Sequence, residues 1–394
     1  MVKYAILRNL AATRTASPFE SIGPTISAAS PPEPQVDIVK ADPKDVVEIV
    51  KDPQVQALAP VMPTSLIRPV EIAASAAAPG DAWGVAAVKA DASSCTGDGV
   101  IVSVLDTGID RAHPAFSGVE IVEEDFSGSG NGDRQGHGSH CAGTIFGRDV
   151  DGKRIGIARG VKKALIGKVL ADNGSGDSDM IFRGIQWAID RGAHVISMSL
   201  GFDFPGLVKR LTDAGWPVEL ATSNALEAYR ANLRMFDALM RMSVAMAAFR
   251  PGTVLVAAAG NESRVNENPD FKIAASLPAA AEGVVSVGAL QQQADGKLSI
   301  AYFSNTFPQI AAPGVNILSV KVGGGLRALN GTSMACPHVA GVAALWWEAL
   351  RKSGVVNPSA QLVMARMLAS ARTDGFASGV VIADRGVGLV TSPP

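Results

Sequence analysis

Cysteine and histidine are scarce in this sequence. Its 394 residues include three cysteines and five histidines. A low, odd number of cysteines argues against a fold held together by disulfide bonds, and free thiols suit a reducing compartment. The segment HGSHC has no second ligand pair at zinc spacing. We therefore expect neither a disulfide scaffold nor a zinc site.

Runs of basic residues and long apolar runs are also lacking. The net charge is −2 and no basic block occurs, so the sequence predicts no nucleic-acid partner. The most apolar long stretch, residues 225–249, carries five charged residues and is typical of a water-soluble helix, not of a membrane span. The N-terminus has no uninterrupted apolar run of the kind found in secretory signals. We expect a cytoplasmic location without membrane association, with export by another route left open.

Apolar strands and glycine, in contrast, are abundant. Hydrophobic residues make up 47% of the chain, and there are 41 glycines. From about Gly97 onward, continuous apolar runs alternate with helical patterns; the runs read VIVSVL, ALIGKVL, AHVISMSL, GTVLVAAAG and GVVSVGAL. Strands that are apolar on both faces are typical of a parallel sheet covered by helices. The sequence predicts a doubly wound α/β fold, whose sites gather at the carboxyl ends of the strands.

The first 80 residues have a different pattern. KYAILRN, PQVDIVKA and VQALAPVMPTSLI predict strands, and DPKDVVEIVKD predicts a helix. A Pro/Ser/Ala-rich linker occupies residues 15–34, and a second stretch of this kind occupies residues 71–84. The sequence therefore predicts a small N-terminal α+β unit, over residues 1–80, and a larger domain over residues 81–394.

Four polar residues lie beside glycine or other small residues at the ends of predicted elements. They are Asp106 after a strand, His137 before a helix, Asn261 after a strand, and Ser333 before an apolar helix. Each alone is commonly structural, as a turn residue, a packed histidine or a helix cap formed by Thr332 or Ser333. Together they match one mechanism, in which Asp orients His, His takes the proton of Ser, and Asn donates to an oxyanion.

The blocks around these residues resemble the signature motifs of subtilases, the subtilisin-like serine peptidases. They read VSVLDTGID, GHGSHCAGTI, SMSLG, AAAGNE and NGTSMACPHVAG, within a resemblance that covers about 83–391. It implies that Asp106, His137 and Ser333 form the catalytic triad and that Asn261 is the oxyanion donor. It also implies a mostly parallel subtilisin-like sheet and a serine endopeptidase that cleaves polypeptides without a cofactor.

The resemblance further implies where a substrate binds. SMSLG, with Ser199, Leu200 and Gly201, is similar to the strand that pairs with the substrate backbone. AAAG, with Ala258 and Gly260, is similar to one wall of the pocket for the residue before the scissile bond. Alone, each would be an ordinary buried strand.

The N-terminal unit is loosely similar to the propeptides of this family. TSLIRPVE, residues 64–71, is then expected to run into the cleft as an inhibitory tail. The same stretch is also similar to the short LIPY-like proregion of intracellular subtilisins. The chain's own prosegment is therefore the predicted intramolecular inhibitor.

Two features depart from the family pattern. Ala115 in HPAF replaces the Asp that helps hold calcium in many subtilases, although RDVDG, residues 148–152, could offer oxygens. A structural calcium site is therefore doubtful, and no metal ligands are assigned. Cys141 and Cys336 lie a few residues after His137 and Ser333, respectively, and are expected to be buried.

A helical insert over about 202–250 is longer than the family usually has. It predicts two helices around a Gly-Trp-Pro turn. We expect Phe202 and Phe204 to line an apolar subsite distant from the scissile bond. The alternatives are a peripheral decoration and a contact between two copies of the chain.

Two other functions were weighed against the peptidase. An α/β-hydrolase needs its acid and histidine after the nucleophile, but the only histidine after Ser333 is His338, in the same predicted helix. An inactive subtilase-like binding module remains as the alternative, although such proteins commonly lack one of the catalytic residues.

Overall fold

The computed structural model describes residues 1–13, 31–71 and 82–394. Most of the predicted linker at 15–34 and of the stretch at 71–84 lies outside these residues, as does the predicted boundary at residues 80 and 81. No helix of the described ranges is long and apolar enough to cross a membrane.

A three-stranded antiparallel sheet forms the N-terminal unit. Its elements, with the strand that follows them, are β1 (Val2–Asn9), β2 (Pro34–Ala41), α1 (Val46–Ile49), β3 (Val55–Pro60) and β4 (Pro63–Leu66). β1 lies between β2 and β3. The helix predicted over 42–52 is only the single turn α1. The strand predicted over 55–67 is divided, because Met62 exchanges hydrogen bonds with the Ser178 backbone and side chain and leaves the first sheet.

The remaining elements alternate between strands and helices. They are α2 (Trp83–Ala87), β5 (Ile101–Asp106), β6 (Glu120–Asp125), α3 (His137–Phe146), β7 (Lys163–Lys168), β8 (Ser175–Asp177), α4 (Ser178–Asp190), β9 (Val195–Met198), β10 (Leu200–Phe202), α5 (Phe204–Asp213), α6 (Val218–Ala245), β11 (Val254–Ala258), β12 (Val285–Gln292), β13 (Leu298–Ile300), β14 (Ile310–Pro313), β15 (Ile317–Val320), β16 (Leu326–Leu329), α7 (Thr332–Lys352), α8 (Ala360–Ala369) and α9 (Ile382–Arg385).

The central sheet confirms the predicted doubly wound α/β fold. Its strand order is β13, β12, β11, β9, β5, β7, β6, and β14 also pairs with β12. Every pair is parallel except β12 with β13. The chain leaves β5 first towards β7 and β6 and later towards β9 and β11, so the direction of winding switches at β5. Clefts form at such switch points, beyond the carboxyl ends of the strands.

Two apolar cores cover the two faces of this sheet. Side chains of a strand point alternately to opposite faces, so Val104 of β5 joins the core with α3 and α7, whereas Leu105 joins the core with α4 and α6. This double burial explains why the central strands carry apolar residues on both faces.

The N-terminal unit shares the second core with α4 and α6. Ala5 and Leu7 of β1 are fully buried there. Asn232 of α6 donates a hydrogen bond to the Pro60 carbonyl oxygen (2.9 Å). Lys3 forms an ion pair with buried Asp179 of α4 (2.8 Å). The segment predicted to contain two helices has them, as α5 and α6, and the longer helix covers its apolar face partly on this unit.

A buried carboxylate joins α7 to the segment before β5. One oxygen of Glu348 accepts the backbone N–H groups of Thr96 (2.7 Å), Gly97 (2.6 Å) and Asp98 (3.0 Å). The other oxygen pairs with the Lys352 ammonium at 2.6 Å. Burial acts to raise the pKa of Glu348, but the ion pair and the three N–H donors outweigh it and hold this pKa below its ordinary value of 4.5.

Glu348→Gln is expected to lower the free energy of unfolding by roughly 2 kcal/mol at pH 7. The pKa is lower in the folded state, so this stabilisation is present above the unfolded pKa, about 4.3, and is lost as pH falls through the folded value. The difference in Tm between the wild type and the variant should therefore shrink as the pH falls below about 4.3. Lys352→Gln, at an exposed ion pair, should cost less than about 1 kcal/mol. A Glu348→Gln effect that is the same at all pH values would contradict this assignment.

Candidate active site

A buried carboxylate–imidazole contact lies at the carboxyl edge of the sheet. Asp106 ends β5, and His137 begins α3. The two oxygens of Asp106 lie 2.9 and 3.0 Å from His137 Nδ1, and both side chains are buried. An ionised Asp106 accepts a hydrogen bond from Nδ1, so the proton is held on Nδ1 and Nε2 is left as an acceptor.

Asp133, which the sequence reasoning missed, fixes this contact. Its buried carboxylate accepts hydrogen bonds from the Thr107 hydroxyl (3.0 Å) and from the Gly136 N–H (2.6 Å). The Thr107 oxygen in turn accepts the N–H of Gly138 at 2.9 Å. Asp133 thereby ties the residue after Asp106 to the start of α3. Its signal in the sequence was an Asp shortly before the Gly-His-Gly segment.

Gly138 is required where α3 meets the end of β5. A Cβ atom at this position would lie 2.3 Å from the carbonyl oxygen of Gly108. Only glycine allows the two backbones to approach so closely. This approach brings the Asp106 and His137 side chains within hydrogen-bond distance.

Ser333 lies in the first turn of α7 and is fully buried. Its carbonyl oxygen accepts hydrogen bonds from Ser199 Oγ (3.0 Å) and Cys141 Sγ (3.4 Å). Because Cys141 is also 3.8 Å from His137 Nδ1, the predicted nucleophile and base are neighbours. The helix-cap alternative is wrong, since the capping position is Gly331 and no side chain caps the helix.

The hydroxyl of Ser333, the predicted nucleophile, bonds to the N-terminal segment and not to the imidazole. Ser333 Oγ donates to the Ile67 carbonyl oxygen at 2.9 Å. His137 Nε2 is buried without a hydrogen-bond partner among the described residues. Asn261 Nδ2 donates to the carbonyl oxygen of the next residue, Arg68, at 3.0 Å. Two predicted site residues, Ser333 and Asn261, thus contact neighbouring carbonyl groups of the N-terminal segment.

The orientation of the Asn261 amide is set by Thr332. Asn261 Oδ1 accepts both the backbone N–H and the hydroxyl of Thr332, each at 2.9 Å. The Thr332 hydroxyl accepts the N–H of Gly260 (3.2 Å). The NH₂ group of Asn261 must therefore point towards the cleft.

β4 lies between β10 and β8 and is antiparallel to both. Leu200 pairs with Leu66 and Gly201 with Ser65, so these two predicted binding residues contact an extended strand. The sequence reasoning missed β8, the second neighbour of that strand.

The side chain of Ile67 occupies the space beside Gly201. A Cβ placed on Gly201 would lie 3.5 Å from Ile67 Cγ1 and 3.6 Å from Ser276 Oγ. Ile67 is 5% exposed. Ala258, also predicted to bind substrate, is fully buried at the end of β11. Ser276 was not predicted.

Beyond the nucleophile, the segment is held by Asn330, which was also missed. The Asn330 carbonyl oxygen accepts the N–H of Val70 (2.8 Å), and its side-chain amide donates to the Val70 carbonyl (2.9 Å). Asn330 Oδ1 accepts the N–H of Asn316 (2.7 Å), which fixes the amide orientation. The cleft therefore binds the backbone of the N-terminal segment on both sides of Ser333.

The region of the doubtful calcium site is held by an arginine. The Arg148 guanidinium donates to the carbonyl oxygens of Phe146 (3.0 Å) and Val161 (2.8 Å), and the Arg148 N–H donates to Ala115 (2.7 Å). The nearby Asp149 pairs with Arg159. The Arg148 guanidinium uses two carbonyl oxygens of this region and Ala115 offers no carboxylate, so these groups do not form the oxygen cage that calcium prefers.

Asp106, His137 and Cys141 are the one group of His, Cys, Asp and Glu side chains, among the described residues, whose spacing could hold a metal ion. Burial, with the nearby Asp106, raises the pKa of the Cys141 thiol well above its ordinary value. A protonated thiol is a poor metal ligand. Cys95, Cys141 and Cys336 are all buried and unpaired.

Comparisons with known proteins agree with this geometry. The sequence model of the subtilase family matches residues 97–388 of this chain. The chain is 33% identical over 310 residues to the thermostable alkaline protease of Halalkalibacterium halodurans, a match that covers 77% of this chain and 69% of that protein.

Two further relatives are similar to the same region. Identity to the major intracellular serine protease of Bacillus subtilis is 33% over 273 residues, or 66% of this chain and 73% of that one. Identity to a subtilisin-like protease of Coccidioides posadasii is 34% over 272 residues, or 67% of this chain and 55% of that one. The family match spans well over half of the chain and the sheet is doubly wound, and we conclude that this chain belongs to the subtilase family of serine endopeptidases.

Proposed function

We propose that Ser333 is the nucleophile, His137 the general base, Asp106 the group that orients the imidazole, and Asn261 the oxyanion donor. The observation that carries this assignment is the convergence of Ser333 Oγ and Asn261 Nδ2 on the carbonyl oxygens of two consecutive residues directly after β4, beside the Asp106–His137 contact. A strand bound along β10 presents its carbonyl groups to these same atoms.

Each residue has one role in the reaction. Ser333 Oγ attacks the carbonyl carbon of the scissile bond while its proton moves to His137 Nε2. The amide of Asn261 and the backbone N–H of Ser333 stabilise the negative oxygen that forms. His137 then gives the proton to the leaving amine, and water hydrolyses the acyl-enzyme by the same route. Asp106, held by its buried contact, stabilises the imidazolium.

The substrates are extended polypeptides. Backbone pairing with β8 and β10 on one side and with Asn330 on the other supports cleavage within a chain, because residues on both sides of the scissile bond are bound. Ser199, Leu200, Gly201, Ala258 and Gly260 keep their proposed substrate-binding roles.

The N-terminal unit, residues 1–80, is proposed to be an inhibitory prosegment of the catalytic domain, residues 81–394. The two catalytic groups contact different residues of its tail, since Ser333 bonds to the Ile67 carbonyl whereas Asn261 bonds to that of Arg68. Pro69 follows directly. A tail in this register blocks the cleft, but no single carbonyl group of the tail contacts both Ser333 and Asn261.

Two aromatic residues of the insert, Phe202 and Phe204, are proposed to bind substrate. Phe202 pairs with Thr64 in the strand bound in the cleft, and the rings of Phe202 and Phe204 both contact that of Tyr229 on α6. These contacts support an apolar subsite distant from the scissile bond.

The three unpaired cysteines support a cytoplasmic location.

Ser333→Ala is expected to lower kcat by about 10⁶-fold, and adding His137→Ala should cost less than about tenfold more, because the two residues act as a unit. Turnover of a peptide library by the purified full chain provides the measurement. A fluorophosphonate should label the wild type at Ser333 and leave Ser333→Ala unlabelled. A chain that stays unlabelled and inactive even when Leu66→Asp weakens the tail would favour the alternative of an inactive binding module.

Leu66→Asp in the full chain is expected to raise the initial rate on a short chromogenic peptide by at least about tenfold. The new carboxylate would be buried without a partner, which weakens the tail strongly enough to overcome its high local concentration. The rate is measured before any change in the mass of the chain.

Ser65→Asp is the matched control for this experiment. It lies on the same strand, but its side chain is only half-buried and keeps access to water, so a small change is expected. Equal rates for the wild type and Leu66→Asp would contradict the inhibitory role of the tail.

A further inference from the structure

A buried lysine and a partly exposed aspartate lie between the edge of the cleft and the loop before α3. Lys168 ends β7, where it is the register partner of Asp106, and its side chain is 3% exposed. Its ammonium donates to Asp172 Oδ1 at 2.5 Å and to the Gly132 carbonyl oxygen at 2.9 Å. This hydrogen bond holds the pKa of Asp172 below its ordinary value of 3.8, so the carboxylate is ionised at neutral pH. A buried ammonium needs such a partner, and Asp172 is the one carboxylate paired with it in the described part of the chain.

Asp172 lies in the turn that carries the edge of the cleft. This edge turn, residues 171–175, joins β7 to β8. The carbonyl oxygen of Gly174 accepts the N–H of Leu66 in the tail at 2.8 Å. β8 begins at Ser175, the last residue of the edge turn, and pairs with β4. A chain bound in the cleft therefore contacts the edge turn directly.

The loop before α3 is bound by the same carboxylate. Asp172 Oδ2 accepts a hydrogen bond from Arg134 Nη1 at 2.9 Å, and the ammonium bonded to Oδ1 also binds the carbonyl of Gly132. The residue between these two is Asp133, whose carboxylate holds Gly136 at the start of α3. Asp172 is thus connected to the loop on both sides of the residue that fixes the position of α3.

The position of the Gly132 carbonyl affects both members of the buried carboxylate–imidazole contact. A Cβ atom placed on Gly108 would lie 2.2 Å from this carbonyl oxygen, so the segment after Asp106 packs directly against it. His137 follows in the same loop, five residues after Gly132. A shift of Gly132 would therefore displace the segments that hold Asp106 and His137.

We propose that Asp172 is a positioning residue that couples occupancy of the edge turn to the placement of the His137 imidazole. A chain that pairs with β8 fixes the edge turn and with it Asp172. The Lys168 ammonium and the Arg134 guanidinium then transmit this constraint to residues 132–134. Long polypeptides reach β8, so they meet a better ordered imidazole than short peptides do. The consequence for catalysis rests on the proposed function, whereas the coupling between the two segments does not.

Asp172→Asn keeps the size of the side chain and removes its charge, which leaves the Lys168 ammonium buried without a counter-charge. The backbone N–H groups that Asp133 holds, within residues 132–140, should then exchange with deuterium about tenfold faster, because this loop opens more often. Exchange is measured by mass spectrometry on the full chain carrying Ser333→Ala, which prevents self-cleavage during the experiment.

Asn173→Ala is the matched control on the edge turn. Asn173 Oδ1 accepts the N–H (2.9 Å) and the hydroxyl (2.7 Å) of Ser175, so this change loosens the turn but leaves the ion pair intact. Exchange should rise within residues 171–175 and stay within about twofold of the parent chain within residues 132–140. Unchanged exchange of 132–140 in Asp172→Asn, or an equal rise in both variants, overturns the proposal.

A kinetic comparison tests the consequence for catalysis, with each variant added to the full chain carrying Leu66→Asp. One peptide ester extends four residues before the scissile bond, and a second has a single residue there. Asp172→Asn should lower kcat for the long ester about tenfold and change kcat for the short one less than about twofold, because only the long ester uses binding at β8 to order the site. Asn173→Ala should mainly raise KM for the long ester. Equal losses of kcat on both esters overturn the positioning role. A Leu66→Asp parent that neither turns over nor takes a fluorophosphonate label would refute the peptidase mechanism, and the exchange result would then decide the coupling alone.

Discussion

The buried contact between Asp106 and His137 is the constraint on which the rest of the cleft depends. A carboxylate with no exposed surface is stable only when hydrogen-bond donors surround it, and here the imidazole and the backbone N–H of Thr107 supply them. Maintaining this contact requires α3 to start directly against the end of β5. The glycine at position 138 permits that approach, and Asp133 holds it through Thr107 and Gly136. The active site is therefore an extension of the sheet edge and not a loose loop.

The N-terminal unit and the cleft are coupled through a shared core. β1 and β3 complete the apolar core on the α4 and α6 side of the central sheet, and β4 then carries the chain between β8 and β10 towards Ser333. Anchoring at one end keeps the tail concentrated at the other, so modest contacts in the cleft suffice to hold it. The same coupling gives the insert a role that its sequence alone does not reveal, because α6 supports both the core and the docked unit through residues such as Asn232 and Phe236.

A single residue, Arg148, holds several backbone segments together. The guanidinium spans two backbone carbonyls, and the backbone of the same residue binds Ala115. Many subtilases place calcium and an aspartate in this region, whereas here one side chain supplies a fixed positive charge. Burial lowers the pKa of Arg148 from its high ordinary value, and an arginine guanidinium is protonated at neutral pH.

The sequence by itself determined the fold class and the family, and it is the basis on which four polar residues are proposed for the site. Runs that are apolar on both faces specify buried parallel strands, and the motif order Asp, His, Asn, Ser specifies one arrangement of them. What it could not determine depends on contacts between distant segments. Asp133, Ser276 and Asn330 act through hydrogen bonds or packing with residues that only the folded chain brings near. The strand predicted over 55–67 is interrupted at residues 61–62 because Ser178 forms a hydrogen bond with the backbone there. Only the tertiary structure decided that the Ser333 hydroxyl bonds to Ile67 and leaves His137 Nε2 without a partner, because that choice depends on where the tail lies in the cleft.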